Sequence, residues 1–146
     1  MKFRQYFIGC FTFVALLAAF PGLDSSVKTA RENEAILATE IGDATFYADR
    51  FQGCETACGL KFSNRKLFAA HLTYPFGTVA RVTNLQNGKS VTVVIVDRGP
   101  YGRNRRKGAV IDLSRVAAEK LGMIREGKIH VQIDVLMWGN DERHES

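Results

Sequence analysis

The stretch Val91–Gly102, VTVVIVDRGPYG, places six β-branched residues in a row directly before an acid, a base and a Gly-Pro pair. A run of this composition and length is typical of a strand that is buried on both faces. Its end raises a question, because Asp, Gly and Pro are also the residues of an ordinary turn. Asp97 therefore either opens a turn or carries a carboxyl group to the mouth of a buried strand, where it could exchange a proton with a substrate.

Strand signals of the same kind recur along the chain at intervals of about ten residues, punctuated by Gly, Asn and Pro. Asn87-Gly88 is a pair that two-residue hairpin turns prefer, and it separates two of these runs. Such regular spacing favours a small all-β barrel or sandwich. We predict six strands, over Ala44–Ala48, Lys66–Ala70, Thr78–Thr83, Lys89–Val96, Ala109–Leu113 and Lys128–Met137.

One helix is predicted among the strands, directly after the fifth. Ser114 can cap its first turn, and Gly122 can supply the left-handed residue that ends it. In the last predicted strand, apolar and polar residues alternate, which indicates one buried side and one side facing water. The inward side is predicted to carry Ile129, Val131, Ile133 and Val135, and the outward side Lys128, His130, Gln132 and Asp134.

The chain of 146 residues is long enough for one domain with a single core, and we expect no second domain. Residues 1–23 read as a signal peptide or an uncleaved anchor, because Lys2 and Arg4 precede an apolar run. The sequence before Cys10 only partly resembles a lipid-attachment box, so lipidation there stays open. The rest of the chain is divided into a spacer over 24–40, a β domain over 41–138 and a polar tail over 139–146.

The predicted leader indicates a periplasmic or secreted protein, with membrane anchoring through the leader as an alternative. The net charge is +5, and it falls to +3 when Lys2 and Arg4 leave with the leader. This mild positive charge suits an anionic wall polymer or a membrane surface. Nucleic acid is not an expected partner, because export removes the protein from DNA.

Two cysteines remain in the body of the chain, Cys54 and Cys58, and their pairing stays open. An exported protein could join them in a disulfide. The loop would be short, so the bond would be a local staple and not the scaffold of the fold. A metal site would need two more ligands, and neither a CxxC pair nor a histidine cluster supplies them, so we predict no metal site and no organic cofactor.

A glycosidase usually places two carboxyl groups across the scissile bond, so Asp97 invites a search for a partner. Asp112 is the obvious candidate, but its position just before the predicted helix also suits a bond to backbone amides. His71 precedes a Pro-Phe-Gly turn, where a side chain could stand at the rim of a barrel or serve the core. The remaining acids considered are predicted to lie at the surface: Asp43, Asp49, Glu55 and Asp134.

The run RNRRKG, over residues 103–108, brings four cations together in one connection between strands. It could bind an anionic polymer, or it could simply be a solvated insertion. The sequence leaves both readings open.

The order of the motifs carries more information than any one of them. ATFYADRFQG, TACG, FAAHLTYPFGTVARVTNLQNGKSVTVVIVDRGP and IDLSRVAAEKLGM follow one another between about Gly42 and Leu136. In this order the chain resembles the rare lipoprotein A (RlpA) family, whose domain is a six-stranded double-psi β-barrel. The resemblance implies an endolytic peptidoglycan transglycosylase, which cleaves between N-acetylmuramic acid and N-acetylglucosamine and leaves a 1,6-anhydro end.

The resemblance also implies site residues. The catalytic positions are Asp97 of the DRGP motif and His71 of the AAH motif, and the substrate contacts are predicted at Arg98, Tyr101 and Thr56. In such a reaction the C6 hydroxyl of the sugar attacks C1, so Asp97 alone could act as both acid and base. The expected substrate is glycan strands that lack stem peptides.

Three departures from the family pattern stand out. Leu60 replaces the usual Glu after the TACG motif, and Ala109 stands where an Arg often precedes Ile-Asp-Leu-Ser. The connection that contains RNRRKG is longer and more basic than usual. Only ten residues follow Leu136, so no C-terminal glycan-binding domain is expected. Because Leu60 stands where a polar residue is usual, it favours an alternative function: a non-catalytic expansin-like module that binds wall polysaccharide without cleaving it.

Overall fold

The computed structural model describes residues 34–141, so the predicted leader with Cys10 and most of the predicted spacer lie outside the described residues. Six strands form a closed barrel, and each is hydrogen-bonded to two neighbours. The predicted mainly β, six-stranded barrel is confirmed. The strands are β1 (Ala38–Phe46), β2 (Phe68–His71), β3 (Val79–Asn84), β4 (Ser90–Asp97), β5 (Ala109–Leu113) and β6 (Ile129–Met137).

The strand order around the barrel is β1-β5-β2-β4-β3-β6, after which β6 returns to β1. Among these six strands, only β3 and β4 are neighbours both in sequence and in the barrel, joined through the Asn87-Gly88 turn. The pairs β1–β5 and β2–β4 are parallel, and the other four pairs are antiparallel. Long-range pairing therefore builds nearly the whole sheet.

The opening stretch of the sequence forms β4, and the structure explains its composition. Ile95 is buried in the barrel interior, whereas Val96 is buried in a separate cluster with Cys58 and Phe76. The register with β2 shifts between Ile95 and Asp97, so Val96 is the extra residue of a bulge immediately before Asp97. Bulges bend a strand and re-aim the side chain that follows, so apolar burial on both sides of β4 fixes the direction of Asp97.

Two short α-helices and a 3₁₀ turn complete the fold: α1 (Gly102–Arg106), α2 (Arg115–Lys120) and the turn Asp49–Phe51. The predicted helix corresponds to α2. Its cap is as predicted, because the Ser114 hydroxyl accepts a hydrogen bond from the Ala117 amide and Gly122 has a φ of 68°. Helix α1 was not predicted, since none of its residues is buried and it has no apolar face.

Strand β1 begins at Ala38, six residues before the predicted start, inside the segment predicted to be a spacer. The reason is its antiparallel pairing with β6, which runs from Ala38 opposite Val135 to Ala44 opposite Ile129. The inward residues of β6 are buried as predicted. The prediction for Asp134 was wrong: this side chain is only 3% exposed, because Thr39, Arg81 and Gln132 all donate hydrogen bonds to its carboxylate.

Between residues 34 and 141, no helix has the length and apolar character that crossing a membrane requires. In the same range, Cys54 and Cys58 are free thiols, the first exposed and the second buried. The predicted alternative of a disulfide between them is therefore not formed in this structure.

Candidate functional site

A cavity of about 580 Å³ opens at the end of β4. Its lining combines carboxyl groups with cations and an aromatic wall, a combination suited to a polar ligand with flat apolar faces. The carboxyl groups belong to Glu55, Asp97 and Asp112, the cations to Arg50 and Arg98, and the aromatic rings to Phe46, Tyr47, Phe51, Phe62 and Tyr101; Ala48, Cys54, Gly99 and Asn104 complete the lining.

A second cavity, of about 770 Å³, lies on the other side of the 3₁₀ turn and is larger. Its charged groups are largely engaged with one another: the Arg115 guanidinium lies 3.2 Å from the Asp49 carboxylate, and its backbone amide donates to Asn64. No aromatic residue lines it among the residues described. The cavity that contains Asp97 is the better candidate for chemistry, because it holds two half-buried carboxyl groups, Asp97 and Asp112, beside aromatic rings.

Three hydrogen bonds hold the carboxylate of Asp97. The Tyr47 hydroxyl donates to Oδ2 at 2.6 Å, and the backbone amides of Ala57 and Arg98 donate to Oδ1 at 2.8 and 2.9 Å. Burial, followed by the bond to Asp97, raises the pKa of Tyr47, so its hydroxyl remains a donor throughout the neutral range. Asp97 is thus fixed in orientation while it still lines the cavity.

Replacing Tyr47 by Phe is expected to lower kcat about tenfold, because it removes one charge-assisted hydrogen bond that orients Asp97. Initial rates of the glycan cleavage that the sequence resemblance implies measure the effect. Thr39→Val is the matched control, since it removes another hydroxyl that donates to an aspartate, Asp134, away from this cavity. Equal loss in both variants would contradict a positioning role for Tyr47.

Asp112 lines the same cavity. The sequence also suited a role in which its carboxylate accepts backbone amides before the helix, but its partner here is a side chain. Its Oδ1 accepts a hydrogen bond from the Thr45 hydroxyl. Burial raises the pKa of Asp112; the hydrogen bond from Thr45 opposes the shift, and the negative charge of Asp97 makes a smaller contribution that raises the pKa further. Asp112 therefore holds a proton to higher pH than an exposed aspartate would.

The sheet register explains why these two acids meet. Ala70 on β2 lies opposite Asp97 on one side and opposite Asp112 on the other. Residues at one level of neighbouring strands project to the same side of the sheet, so both carboxyl groups face one cavity across a residue with a single methyl group. Any larger side chain at position 70 would reduce the space between them.

His71, the other predicted catalytic residue, is buried at 4% exposure and is not among the lining residues of this cavity. Its Nε2 lies 3.0 Å from the Glu40 carboxylate, and its Nδ1 accepts the backbone amide of Tyr74. The Tyr74 ring stacks on it with centroids 3.6 Å apart. Burial lowers the pKa of His71, although the charge of Glu40 opposes the shift.

Of the three predicted substrate contacts, Tyr101 and Arg98 line the cavity and Thr56 does not. Tyr101 is exposed and lines the cavity. Arg98 also lines it, but its guanidinium packs 3.7 Å from the Phe76 ring centroid. The same group donates to the carbonyl of Tyr74 at 2.8 Å. Thr56 is buried, and its hydroxyl donates to the carbonyl of Leu60.

Leu60 is half-buried and packs against the cluster of Cys58, Phe76 and Val96. The position where the family pattern has a Glu therefore contributes no polar group to the cavity here. Glu55, predicted to be a surface acid, supplies an exposed carboxyl group to the lining instead.

Sequence reasoning missed Tyr47 at this site, whereas it weighed Asp112 as a partner of Asp97 and favoured a bond to backbone amides. Tyr47 stood in a motif of the resemblance, ATFYADRFQG, but nothing local signals that its hydroxyl reaches Asp97, fifty positions further along the chain. The apolar run before Asp112 was a usable signal, because an acid carried by a buried strand is desolvated.

Comparison with known proteins identifies relatives of the barrel. A family model described as "Lytic transglycolase" matches residues 39–133. A probable endolytic peptidoglycan transglycosylase RlpA of Aquifex aeolicus is 48% identical over 98 residues, which are 67% of this chain and 42% of the relative. The endolytic peptidoglycan transglycosylase RlpA of Neisseria meningitidis is 41% identical over 108 residues, or 74% of this chain and 44% of the relative. The chain thus spans less than half the length of these relatives.

Solved structures support the fold. A Streptomyces papain inhibitor superposes with a TM-score of 0.55 and 23% identity, over 70% of this chain and 97% of its own. An expansin of Clavibacter michiganensis superposes with a TM-score of 0.53 and 24% identity, over 70% of this chain and 52% of its own. At such identities the likeness concerns the double-psi barrel alone. The family model and the two transglycosylase relatives go further, and by them the chain belongs to the RlpA family.

Proposed function

We propose that this chain is a lytic transglycosylase that cleaves peptidoglycan glycan strands, in particular those without stem peptides, and leaves 1,6-anhydro-muramoyl ends. The observation that carries the proposal is the pair of carboxyl groups, Asp97 and Asp112, that faces one cavity. Breaking a glycosidic bond requires a proton on the leaving oxygen, and carboxyl groups are its usual donors. The names of the relatives, endolytic peptidoglycan transglycosylases, agree with this chemistry.

In the proposed first step, the carboxyl group of Asp112 donates a proton to the oxygen of the departing N-acetylglucosamine while the bond from C1 breaks. A raised pKa suits Asp112 to this step, because a proton donor must hold its proton until the glycosidic bond breaks. The aromatic wall formed by Tyr47, Phe51 and Phe62 offers apolar faces on which sugar rings can rest.

In the proposed second step, Asp97 takes the proton of the C6 hydroxyl while O6 bonds to C1. All three hydrogen bonds to Asp97 use it as the acceptor, which is the role of a carboxylate. No water is consumed, since the hydroxyl of the sugar itself is the nucleophile. This division of labour between two acids is proposed beside the simpler scheme that the resemblance implies, in which Asp97 alone is both acid and base.

His71 is proposed to act as a positioning residue. Its ring Nδ1 accepts the backbone amide of Tyr74, and the carbonyl of Tyr74 accepts a hydrogen bond from the Arg98 guanidinium at 2.8 Å. Arg98 directly follows Asp97, so these contacts anchor the segment that carries the catalytic carboxylate. Tyr101 is proposed to contact the glycan from the cavity rim.

The proposed substrate lies in the bacterial cell wall, so the proposed location is the periplasm or the cell exterior, with anchoring through residues 1–23 as an alternative. The leader-like composition of that segment supports this location.

The product distinguishes this reaction from other wall cleavages. Incubation of the protein with peptide-free glycan strands is expected to yield muramoyl ends lighter by one water than hydrolysis products, as measured by mass spectrometry. Asp97→Asn serves as the inactive comparison. Hydrolysis products would contradict the lyase chemistry, and tight glycan binding without any product would favour the expansin-like alternative, which Leu60 keeps in view.

A further inference from the structure

Helix α1 and the residue after it form a cluster of four cations, which we call the basic rim: Arg103, Arg105, Arg106 and Lys107. All four side chains are exposed. Of the other cations between residues 34 and 141, some form ion pairs with acids and some, such as Lys89 and Lys120, do not, so the rim differs from them in its concentration of charge; the paired cations are Arg81, Arg98, Arg115, Arg125 and Lys128. Within residues 34–141, no acid pairs with any of the four rim cations.

The basic rim borders the cavity that holds Asp97. Tyr101 and Asn104 line that cavity, and they bracket Arg103 in the chain. The cations therefore stand on a segment that borders the candidate active site and not on a remote face of the barrel.

The concentration of positive charge in the basic rim is not explained by a contribution of these residues to the stability of the fold. The helix buries none of its residues, and no side chain caps its first turn. Arg103 and Lys107 are four positions apart, and Arg103 and Arg106 three apart, spacings at which like charges on a helix repel each other. A short, uncapped helix that concentrates positive charge beside a cavity is better explained by a ligand of opposite charge than by packing.

We propose that the basic rim is a carboxylate-binding subsite for the wall glycan. The inference rests on the proposed function and adds a recognition element to it. Two groups of the wall carry carboxylates: the lactyl ether of a muramoyl residue whose peptide is absent, and the stem peptide itself. Arginine suits either, because its planar guanidinium matches a carboxylate with two parallel hydrogen bonds.

The test measures binding in an Asp97→Asn background of the full chain, so that cleavage does not deplete the ligand. The rim variant is R103Q/R105Q/R106Q. The matched control is K89Q/K120Q/R125Q, which removes the same charge at exposed positions that do not line the cavity. Thermal unfolding of both variants verifies that each retains the fold.

Three glycan preparations are compared at low salt: peptide-free strands, the same strands with lactyl carboxylates converted to amides, and strands with intact stem peptides. The rim variant is expected to bind the carboxylate-bearing ligand about tenfold more weakly than the parent, the scale expected from losing three surface charge contacts. If the rim variant binds peptide-free strands more weakly than the parent does, the rim binds the lactyl carboxylate. If its binding is weaker only for peptide-bearing strands, the rim binds a carboxylate of the stem peptide. Parent and rim variant should bind the amidated strands equally.

Unchanged binding of both carboxylate-bearing glycans by the rim variant would overturn the subsite. So would an equal loss in the control variant, or a loss of the same size on amidated strands. These outcomes leave the proposed activity untouched, because anhydro product formation by the protein with an intact Asp97 is measured separately.

Discussion

Asp97→Asn is expected to lower kcat for anhydro-product formation by about 10³-fold, the scale of a lost general base. The substitution preserves shape, and the amide oxygen of Asn can still accept the amides of Ala57 and Arg98. It removes the ability to take a proton from the C6 hydroxyl. Single-turnover cleavage of peptide-free glycan measures the loss separately from binding.

The control for this experiment is Asp49→Asn, an exposed acid that pairs with Arg115 outside the cavity of Asp97. Its activity should stay within about twofold of the parent. If Asp97→Asn retained more than about a tenth of the parent rate, the chemistry would have to be carried by another group, and the proposed mechanism would be wrong.

Asp112→Asn is expected to abolish activity to a similar degree, about 10²-fold to 10³-fold in kcat with little change in KM, because the proton donor is lost. The same change should make the fold more stable at pH 7. The pKa of Asp112 is raised by burial, so its ionised form is disfavoured in the folded state. Asn carries no charge and can still accept the Thr45 hydroxyl.

The pH dependence separates this explanation from a merely structural one. Because the pKa of Asp112 is higher in the folded chain than in the unfolded chain, its ionisation lowers the free energy of unfolding. This loss of stability is complete above the folded-state pKa, and it is absent below the unfolded-state pKa, near 3.8. The gain in Tm of Asp112→Asn should therefore be present at pH 7 and vanish below that value. Parent activity should decline as pH rises through the raised pKa. A variant less stable than the parent at pH 7, or one with full activity, would contradict the assignment.

The sequence was sufficient to predict the barrel, because burial leaves a local pattern. All six strands were located, and the fifth, Ala109–Leu113, has the predicted bounds. Helix α2 followed from its own cap and stop residues, Ser114 and Gly122. Helix α1 could not be found in this way, since an exposed helix with four cations has no periodic apolar face to reveal it.

The site was harder to predict, because its geometry depends on which strands become neighbours. Asp97 was singled out by its own strand, but its relation to Asp112 arises only when β2 inserts Ala70 between β4 and β5. For the same reason Arg98 could not be placed: the carbonyls that it contacts belong to His71 and Tyr74, far away in the sequence. Composition predicts burial, whereas long-range register decides which buried groups meet.

The order in which the strands pair determines when, during synthesis of the chain, the proposed catalytic site can form. Strand β1 is synthesised first among the strands, yet both of its partners, β5 and β6, are the last two to emerge. Until Ala109 and the residues after it are available, the earliest strand has nothing to bond with, and Asp112 does not yet exist beside Asp97. Under the proposed function, a nascent or truncated chain therefore lacks the assembled site until β5 and β6 are available, a delay that follows from the strand order.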